Sequence, residues 1–481
     1  MLASLLGVYV GFLLGVLLAT ICLILCGLSW GPLPHLYIRL ITFLQNFYPH
    51  SYPTISEAPW PAIIRRCDAS SLEKHRNDSL LSFKFSDAST KKLFEVCSNA
   101  FIAGFEAVVQ DEISVAFDIA PSFHTTLLQW PGRLPFVDAP RVLSRLHVLG
   151  YLLALPFRYG VLLPIRFGLI LTSFIYLFIG VIVSFFISLN KRQKTRICTT
   201  YCRLFSASLG LVARYHNPQY RPKQPGIAVS NHLSPNDIQI IHANVAMNAD
   251  FGYTITGQKH NGIIWAIERL SERVCCALWF ERNNAEERKR FTDILIKEGL
   301  REGPVLLFPE GYCTNNTGVL QFRRAVFQDG ITIYPIAIRQ NARFGDSFWS
   351  EKQFWRYLLR IITSWAIVYD VFYLEPQKKL KDEPAQMFAA RVQSLIARAA
   401  GIKRVDYDGS LWYRKSEQMR MKDAQMKDLA RHLKETTACN YSTDPTIIQS
   451  CDLIDHQKGC GSMPSSPNST LLKTPLFSFA A

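Results

Sequence analysis

Pro225-Gly226-Ile227-Ala228-Val229-Ser230-Asn231-His232-Leu233-Ser234-Pro235-Asn236-Asp237 is an apolar run that stops abruptly in turn-forming and helix-starting residues. Gly226–Ser230 reads as a buried strand, because a short continuous apolar stretch bounded by breakers suits a sheet covered on both faces. Ser234 is suited to cap a helix and Pro235 to open it. Asp237 then falls in the first turn and His232 on the loop before the cap. If that loop folds back, the carboxylate reaches one imidazole nitrogen and fixes the other as an acceptor, able to take a proton from an attacking hydroxyl. Taken alone, the same residues also fit an ordinary capping loop carrying a surface histidine.

The alternation continues on the C-terminal side. Pro235–Met247 reads as a helix, Phe251–Thr256 as a strand, Ile263–Arg273 as a helix and Cys276–Phe280 as a strand. Helix Ala285–Leu300 and strands Val305–Phe308, Ile331–Ile338 and Ile367–Leu374 follow. Strands alternating with helices imply an α/β fold: a mixed, largely parallel sheet flanked by helices, over 205–405.

Three further stretches within it carry chemistry. Trp279-Phe280-Glu281-Arg282 closes a strand with an arginine, whose planar donors match two phosphate oxygens; a surface ion pair with Glu286 or Glu287 fits as well. In Leu307-Phe308-Pro309-Glu310-Gly311-Tyr312-Cys313-Thr314-Asn315-Asn316, an apolar strand ends in a proline, an acid and a glycine. That pattern predicts a sharp turn with an exposed carboxylate: Glu310 to accept from substrate hydroxyls, Gly311 to let backbone approach a ligand. A purely structural loop is the alternative. Ile333-Tyr334-Pro335-Ile336-Ala337-Ile338 is a strand interrupted by proline, as an edge strand would be.

On the N-terminal side the chain is apolar. Of the 481 residues 49% are hydrophobic, high for a soluble enzyme, and the excess is concentrated in two places. Leu5–Leu25 carries no charge, the first charged side chain being Arg39. As a helix it would be about 31 Å long, enough for a bilayer core. It lacks the basic start and short apolar core of a cleaved signal, so it reads as an anchor covering 1–30. The second stretch, 148–189, holds Arg158, Pro156 and Pro164 and then an uncharged run, Phe167–Leu189; it reads as a membrane span or a tight hairpin. Lys191, Arg192, Lys194 and Arg196 follow, which places that end on the cytoplasmic side.

Between these, 31–147 reads as a connector and helical region, with a helix over Lys92–Gln110 and a glycosylation triplet at Asn77. After the sheet region, 406–437 reads as a basic helix and 438–481 as a disordered tail. The net charge of +15 calls for an anionic partner. No basic arm or stacked-aromatic module points to nucleic acid, whereas phosphate-bearing substrates and a lipid bilayer suit the charge. The 12 cysteines show neither metal-ligand nor disulfide spacing, as expected for a reducing compartment.

The four blocks around His232, Arg282, Glu310 and Pro335, in this order, resemble the PlsC-like glycerolipid acyltransferases. Phe308 to Pro376 is most similar to the microsomal glycerol-3-phosphate acyltransferases: Glu310-Gly311 before Asn315-Asn316-Thr317, then Phe344-Gly345-Asp346-Ser347-Phe348-Trp349, then Thr363-Ser364-Trp365-Ala366-Ile367-Val368 and Asp370. The resemblance implies that 205–405 is an acyltransferase domain, with His232 the catalytic base and Asp237 its orienting partner. It gives Arg282, Glu310 and Gly311 to the glycerol-phosphate acceptor and Pro335 to the acyl-donor side. It implies transfer from acyl-CoA to the sn-1 hydroxyl of glycerol 3-phosphate without metal, cofactor or acyl-enzyme, giving lysophosphatidic acid for phospholipid and triacylglycerol synthesis. It also implies a multi-pass protein of the endoplasmic reticulum membrane with its catalytic domain in the cytosol. Tyr312, Leu233 and Asn236 depart from the family's pattern and bear on acceptor selectivity and rate. A lysophospholipid acyltransferase, or an idle acyltransferase-like scaffold, would share the fold; the presence of both His232 and Asp237 argues against the idle form.

Overall fold

The computed structural model describes residues 2–47, 116–117, 149, 152–250, 252–259, 263–280, 285–301, 303–349, 353–414, 416–417 and 420. The helix expected over Lys92–Gln110, Asn77, most of the basic helix 406–437 and the tail 438–481 lie outside them, as does Arg282. By its contacts the chain divides into two units, one comprising Met1–Trp60, Ile113–Arg282 and Glu286–Ser410, the other Pro61–Glu112, Asn283–Ala285 and Leu411–Ala481. Everything below concerns the first.

Its centre is a sheet of seven strands among the described residues: β1 (Leu211–His216), β2 (Gly226–Ser230), β3 (Thr254–Gln258), β4 (Ala277–Phe280), β5 (Pro304–Leu307), β7 (Ile333–Asn341) and β8 (Ile367–Tyr373). The spatial order is β1-β8-β7-β2-β5-β3-β4. All neighbours are parallel except β7 and β8. A separate two-strand pair joins β6 (Gly318–Val319) to β9 (Lys403–Arg404). β2 is buried throughout, and its side chains alternate between two apolar layers. Ala228 faces one with Leu306, Ile336 and Ile338; Ile227 and Val229 face the other with Val305, Ile333 and Ala337.

The first layer is covered by α4 (Lys191–Leu209), α5 (Asn236–Ala243) and α8 (Phe354–Ile362), the second by α7 (Ala285–Arg301) and α9 (Ala385–Ala400). Helix α6 (Ile263–Val274) joins β3 to β4. Pro335 corrects the edge-strand reading: β7 is interior, paired with both β2 and β8. Facing Leu374 next to the β7–β8 ladder, the proline contributes only its carbonyl, which accepts from Leu374 N at 3.0 Å.

Two helical runs, Ala3–Leu25 and Leu152–Phe186, are long and apolar enough to cross a membrane. The first is α1 (Leu2–Leu25); a shorter α2 (Leu33–Phe47) follows it. The second is continuous, with a π-helical turn at Pro156–Leu162 leading into α3 (Leu163–Phe186), so no hairpin forms. Tyr9 donates to Gly160 O and Leu17 packs at Gly168, an equal advance that sets α1 and α3 parallel.

Along its other side α3 runs antiparallel to α4: Ile170 shares a core with Leu209, and Gly180 lies against Ile197. The start of α3 is fastened by two buried arginines. Arg166 Nη1 donates to Ile362 O at 2.8 Å and Ser364 O at 2.5 Å, and its Nη2 to Trp365 O at 2.8 Å. Arg158 Nε donates to Thr363 O at 2.8 Å. These carbonyls end α8 and precede β8, and the fork satisfies acceptors that a helix end leaves open. Gly210, which ends α4 at φ 67°, stands where a Cβ would collide with the Arg166 guanidinium.

Candidate active site

β2 delivers Asn231 and His232 at its C-terminal end, between β5 and β7. Asn231 prolongs the sheet with its side chain: Nδ2 donates to Ile338 O at 2.9 Å and Oδ1 accepts from Ile338 N at 2.8 Å. Asn316, in the left-handed region at φ 64°, donates from Nδ2 to the same carbonyl at 3.0 Å. The backbone of His232 is held from the facing loop. Its N–H donates to Glu310 Oε1 at 2.8 Å, and its carbonyl accepts from Thr314 N at 2.8 Å.

The ring is oriented on two sides. His232 Nδ1–H donates to Asp237 Oδ2 at 2.8 Å, and Phe308 stacks on the ring with centroids 4.1 Å apart. Asp237 is fully buried; its Oδ2 also accepts from Leu233 N at 2.6 Å and Ser234 N at 3.0 Å. The expected cap is thus replaced. The helix begins at Asn236 after Pro235 and has no side-chain cap, while Ser234 Oγ accepts from Asn236 N at 3.3 Å. The Asp237 carboxylate instead folds back over the loop, closing the His-x-x-x-x-Asp turn.

The pair leaves His232 Nε2 as the nitrogen able to take a proton, and the His232 side chain is 17% exposed. Burial works against a charge on this ring, but Cys313 and Asp237 beside it outweigh burial and hold its pKa above the ordinary histidine value. A pKa raised to about 10 strengthens the base towards a hydroxyl but leaves only a minor unprotonated fraction at neutral pH, so activity carried by this ring should rise with pH towards that value.

Glu310 departs from the sequence expectation. Its carboxylate is fully buried rather than exposed, with Oε1 taken by His232 N and Oε2 by Leu320 N, each at 2.8 Å. Burial pushes it up to about 8, against the pull of those two N–H donors. Its place makes it a strut that fixes the His232 main chain. Gly311 does occupy the sharp turn, at φ 72°, and a Cβ there would lie 3.1–3.3 Å from the Arg323 guanidinium. Arg323 was not singled out from the sequence. Its signal is the basic pair Arg323-Arg324 after the Glu-Gly turn; the guanidinium also lies 3.6 Å from Asp408 and 5.7 Å from the Tyr312 ring centroid. Pro335 sits buried in β7 opposite Val229, upstream of the His232 loop.

An acyltransferase family model matches residues 212–339, which contain this site. Glycerol-3-phosphate acyltransferase 3 of Mus musculus is 36% identical over 347 residues, covering 70% of this chain and 74% of that protein. Glycerol-3-phosphate acyltransferase 4 of Mus musculus is 41% identical over 216 residues, covering 44% of this chain and 45% of that protein. Among solved structures, the 1-acyl-sn-glycerophosphate (LPA) acyltransferase PlsC from Thermotoga maritima matches with 16% identity and a TM-score of 0.38, covering 50% of this chain and 96% of that one. Over such coverage of the first relative, this chain belongs to the glycerol-3-phosphate acyltransferase family.

Proposed function

We infer that this protein transfers a fatty acyl group from acyl-CoA to the sn-1 hydroxyl of glycerol 3-phosphate, giving lysophosphatidic acid and free CoA. The observation that carries the chemistry is the His232–Asp237 bond, held at 2.8 Å on a loop whose backbone is tied on both sides. His232 Nε2 takes the proton of the acceptor hydroxyl as its oxygen bonds to the thioester carbon. The carbon–sulfur bond then breaks, and the CoA thiolate leaves and takes the proton from the His232 imidazolium, which restores the neutral base. Asp237 holds the tautomer and stabilises the transient imidazolium. Acyl-CoA is a substrate, and no metal or cofactor enters this scheme.

Glycerol 3-phosphate is small and dianionic, so its binding relies on phosphate contacts. We assign these to Arg282 and to Arg323 beside Gly311. Pro335 and its strand form the acyl-donor side. The setting is the endoplasmic reticulum membrane, with α1 and α3 embedded and the sheet domain in the cytosol, where acyl-CoA is made available.

Kinetics of Arg282→Ala and Arg323→Ala in membranes test the acceptor assignment. A hydrogen bond to a charged group contributes roughly 1.5–3 kcal/mol, so each change should raise the KM for glycerol 3-phosphate about ten- to a hundredfold. The KM for acyl-CoA should change little. If both constants stay put, or wild-type membranes acylate lysophospholipids alone, the acceptor is misassigned while the acyl transfer stands.

A further inference from the structure

Helix α8 shows two unlike faces. Inward, Tyr357, Ile361 and Ile362 are buried in the sheet's first apolar layer. Outward, Phe354 is 51% exposed, Trp355 57% and Leu359 44%, and Trp349 of the preceding loop, 40% exposed, meets Phe354 edge-on with centroids 5.4 Å apart. Arg360 donates to the carbonyls of Asp346 and Phe348, and Arg356 lies 5.3 Å from the Trp355 ring centroid. Large apolar and indole side chains clustered on one face, with a basic head folded over a ring, have the composition of an interfacial membrane helix.

What the face meets is indicated by its neighbours. The carbonyls at the end of α8 are those gripped by Arg158 and Arg166, at the start of the apolar α3. Tyr37 of α2 donates to one of them, Trp365 O, at 3.1 Å. α3 turns Phe167, Leu171, Phe174, Ile175 and Phe178 outward, and α2 turns out Leu36, Leu40 and Phe43. α8 therefore adjoins two further elements that expose apolar stripes.

We propose that the outer face of α8, with Trp349, inserts into the headgroup–acyl boundary of the same bilayer that holds α1 and α3. This rests on the membrane reading above. Its inner face ties that contact to the chemistry, since Tyr357 Oη accepts from Asn236 Nδ2 at 3.1 Å, one residue from Asp237. A membrane surface bearing on α8 thus supports the start of the helix that carries the catalytic carboxylate.

The test is photocrosslinking of the full chain in phosphatidylcholine proteoliposomes containing a tritiated phosphatidylcholine. p-Benzoyl-phenylalanine is placed singly at positions 355, 359, 178 and 380, and each variant is checked for retained acyltransferase activity. Phe178 lies on the exposed face of α3, and Leu380 is exposed before α9. Positions 355 and 359 should take up lipid label like 178, and about fivefold or more above 380. Label at 178 with none at 355 and 359, or capture there of a second copy of the chain, overturns the α8 contact alone. Absence of label at 178 as well overturns the membrane reading, and the proposal with it.

Discussion

At the scale of single residues, His232 is the point of greatest sensitivity. It sits on a loop, and in the mechanism proposed above His232→Ala removes the base while giving up only a ring contact with Phe308 at the edge of the first apolar layer. General-base catalysis contributes about 10²–10⁴-fold, so turnover should fall at least a hundredfold at unchanged expression, read by acyl-CoA assay of membranes. Glu310 behaves differently, because its effect is on folding. Its folded pKa is raised to about 8 by burial, so the folded chain keeps a proton that the unfolded chain releases near the ordinary value of 4.5. Its contribution is fully present below that lower value and is lost as pH rises through about 8. Denaturant unfolding of the detergent-solubilised protein at pH 5 and pH 8 should show this loss, and Glu310→Gln should abolish that part of the pH dependence. The His–Asp pair was legible in the sequence because the two residues are five apart and their geometry is local. The struts were not: Glu310 reaches His232 across 78 residues and Asn231 reaches Ile338 across 107, separations at which no sequence pattern specifies a contact.

At the scale of elements, the strands read most easily were those buried on both faces. β2, β5 and β8 follow their apolar runs to within a residue or two. Two elements between the apolar helices and β2 gave a weaker signal. α4 buries Thr195, Thr199, Thr200, Ser206 and Ser208 beside Cys198, Cys202, Leu204 and Leu209, so polar residues interrupt its apolar stripe. β1 packs Leu211, Ala213 and Tyr215 on the first apolar layer, but these are only partly buried and alternate with Val212, Arg214 and His216, a short and mixed pattern. α8 has a clear helical period, with Arg356 and Arg360 set apart from the buried Tyr357 and Ile361, but at 9 residues it is shorter than the stretch over which periodicity is read. The join between α3 and the sheet domain combines the Arg166 fork with apolar packing along α4. Arg166→Leu would leave the carbonyls of Ile362, Ser364 and Trp365 without this donor, at roughly 1–3 kcal/mol for each acceptor left unsatisfied. Thermal unfolding in detergent should show a marked drop in Tm for Arg166→Leu, an intermediate drop for Arg166→Lys, which keeps charge without the fork, and little change for Phe178→Leu on the exposed face.

At the scale of the whole molecule, the chain joins apolar helices to a sheet domain. The basic cluster Lys191, Arg192, Lys194 and Arg196 opens α4 directly after α3, and on the topology proposed above the positive-inside bias would put it with the sheet domain on the cytosolic side. Proteases added to sealed microsomes should therefore degrade residues 205–405; protection of that segment would refute the orientation. The way α3 is mounted has a mechanical consequence. A free apolar helix answers a thicker or thinner bilayer by tilting, at a cost of fractions of a kcal/mol per ångström. α3 lacks that freedom, since Arg158 and Arg166 secure its start and Gly180 and Val181 are packed at its far end. Held to the sheet domain at both ends, α3 moves with that domain as one body, so on the membrane reading proposed above a change of bilayer thickness would have to tilt the whole domain rather than the helix alone.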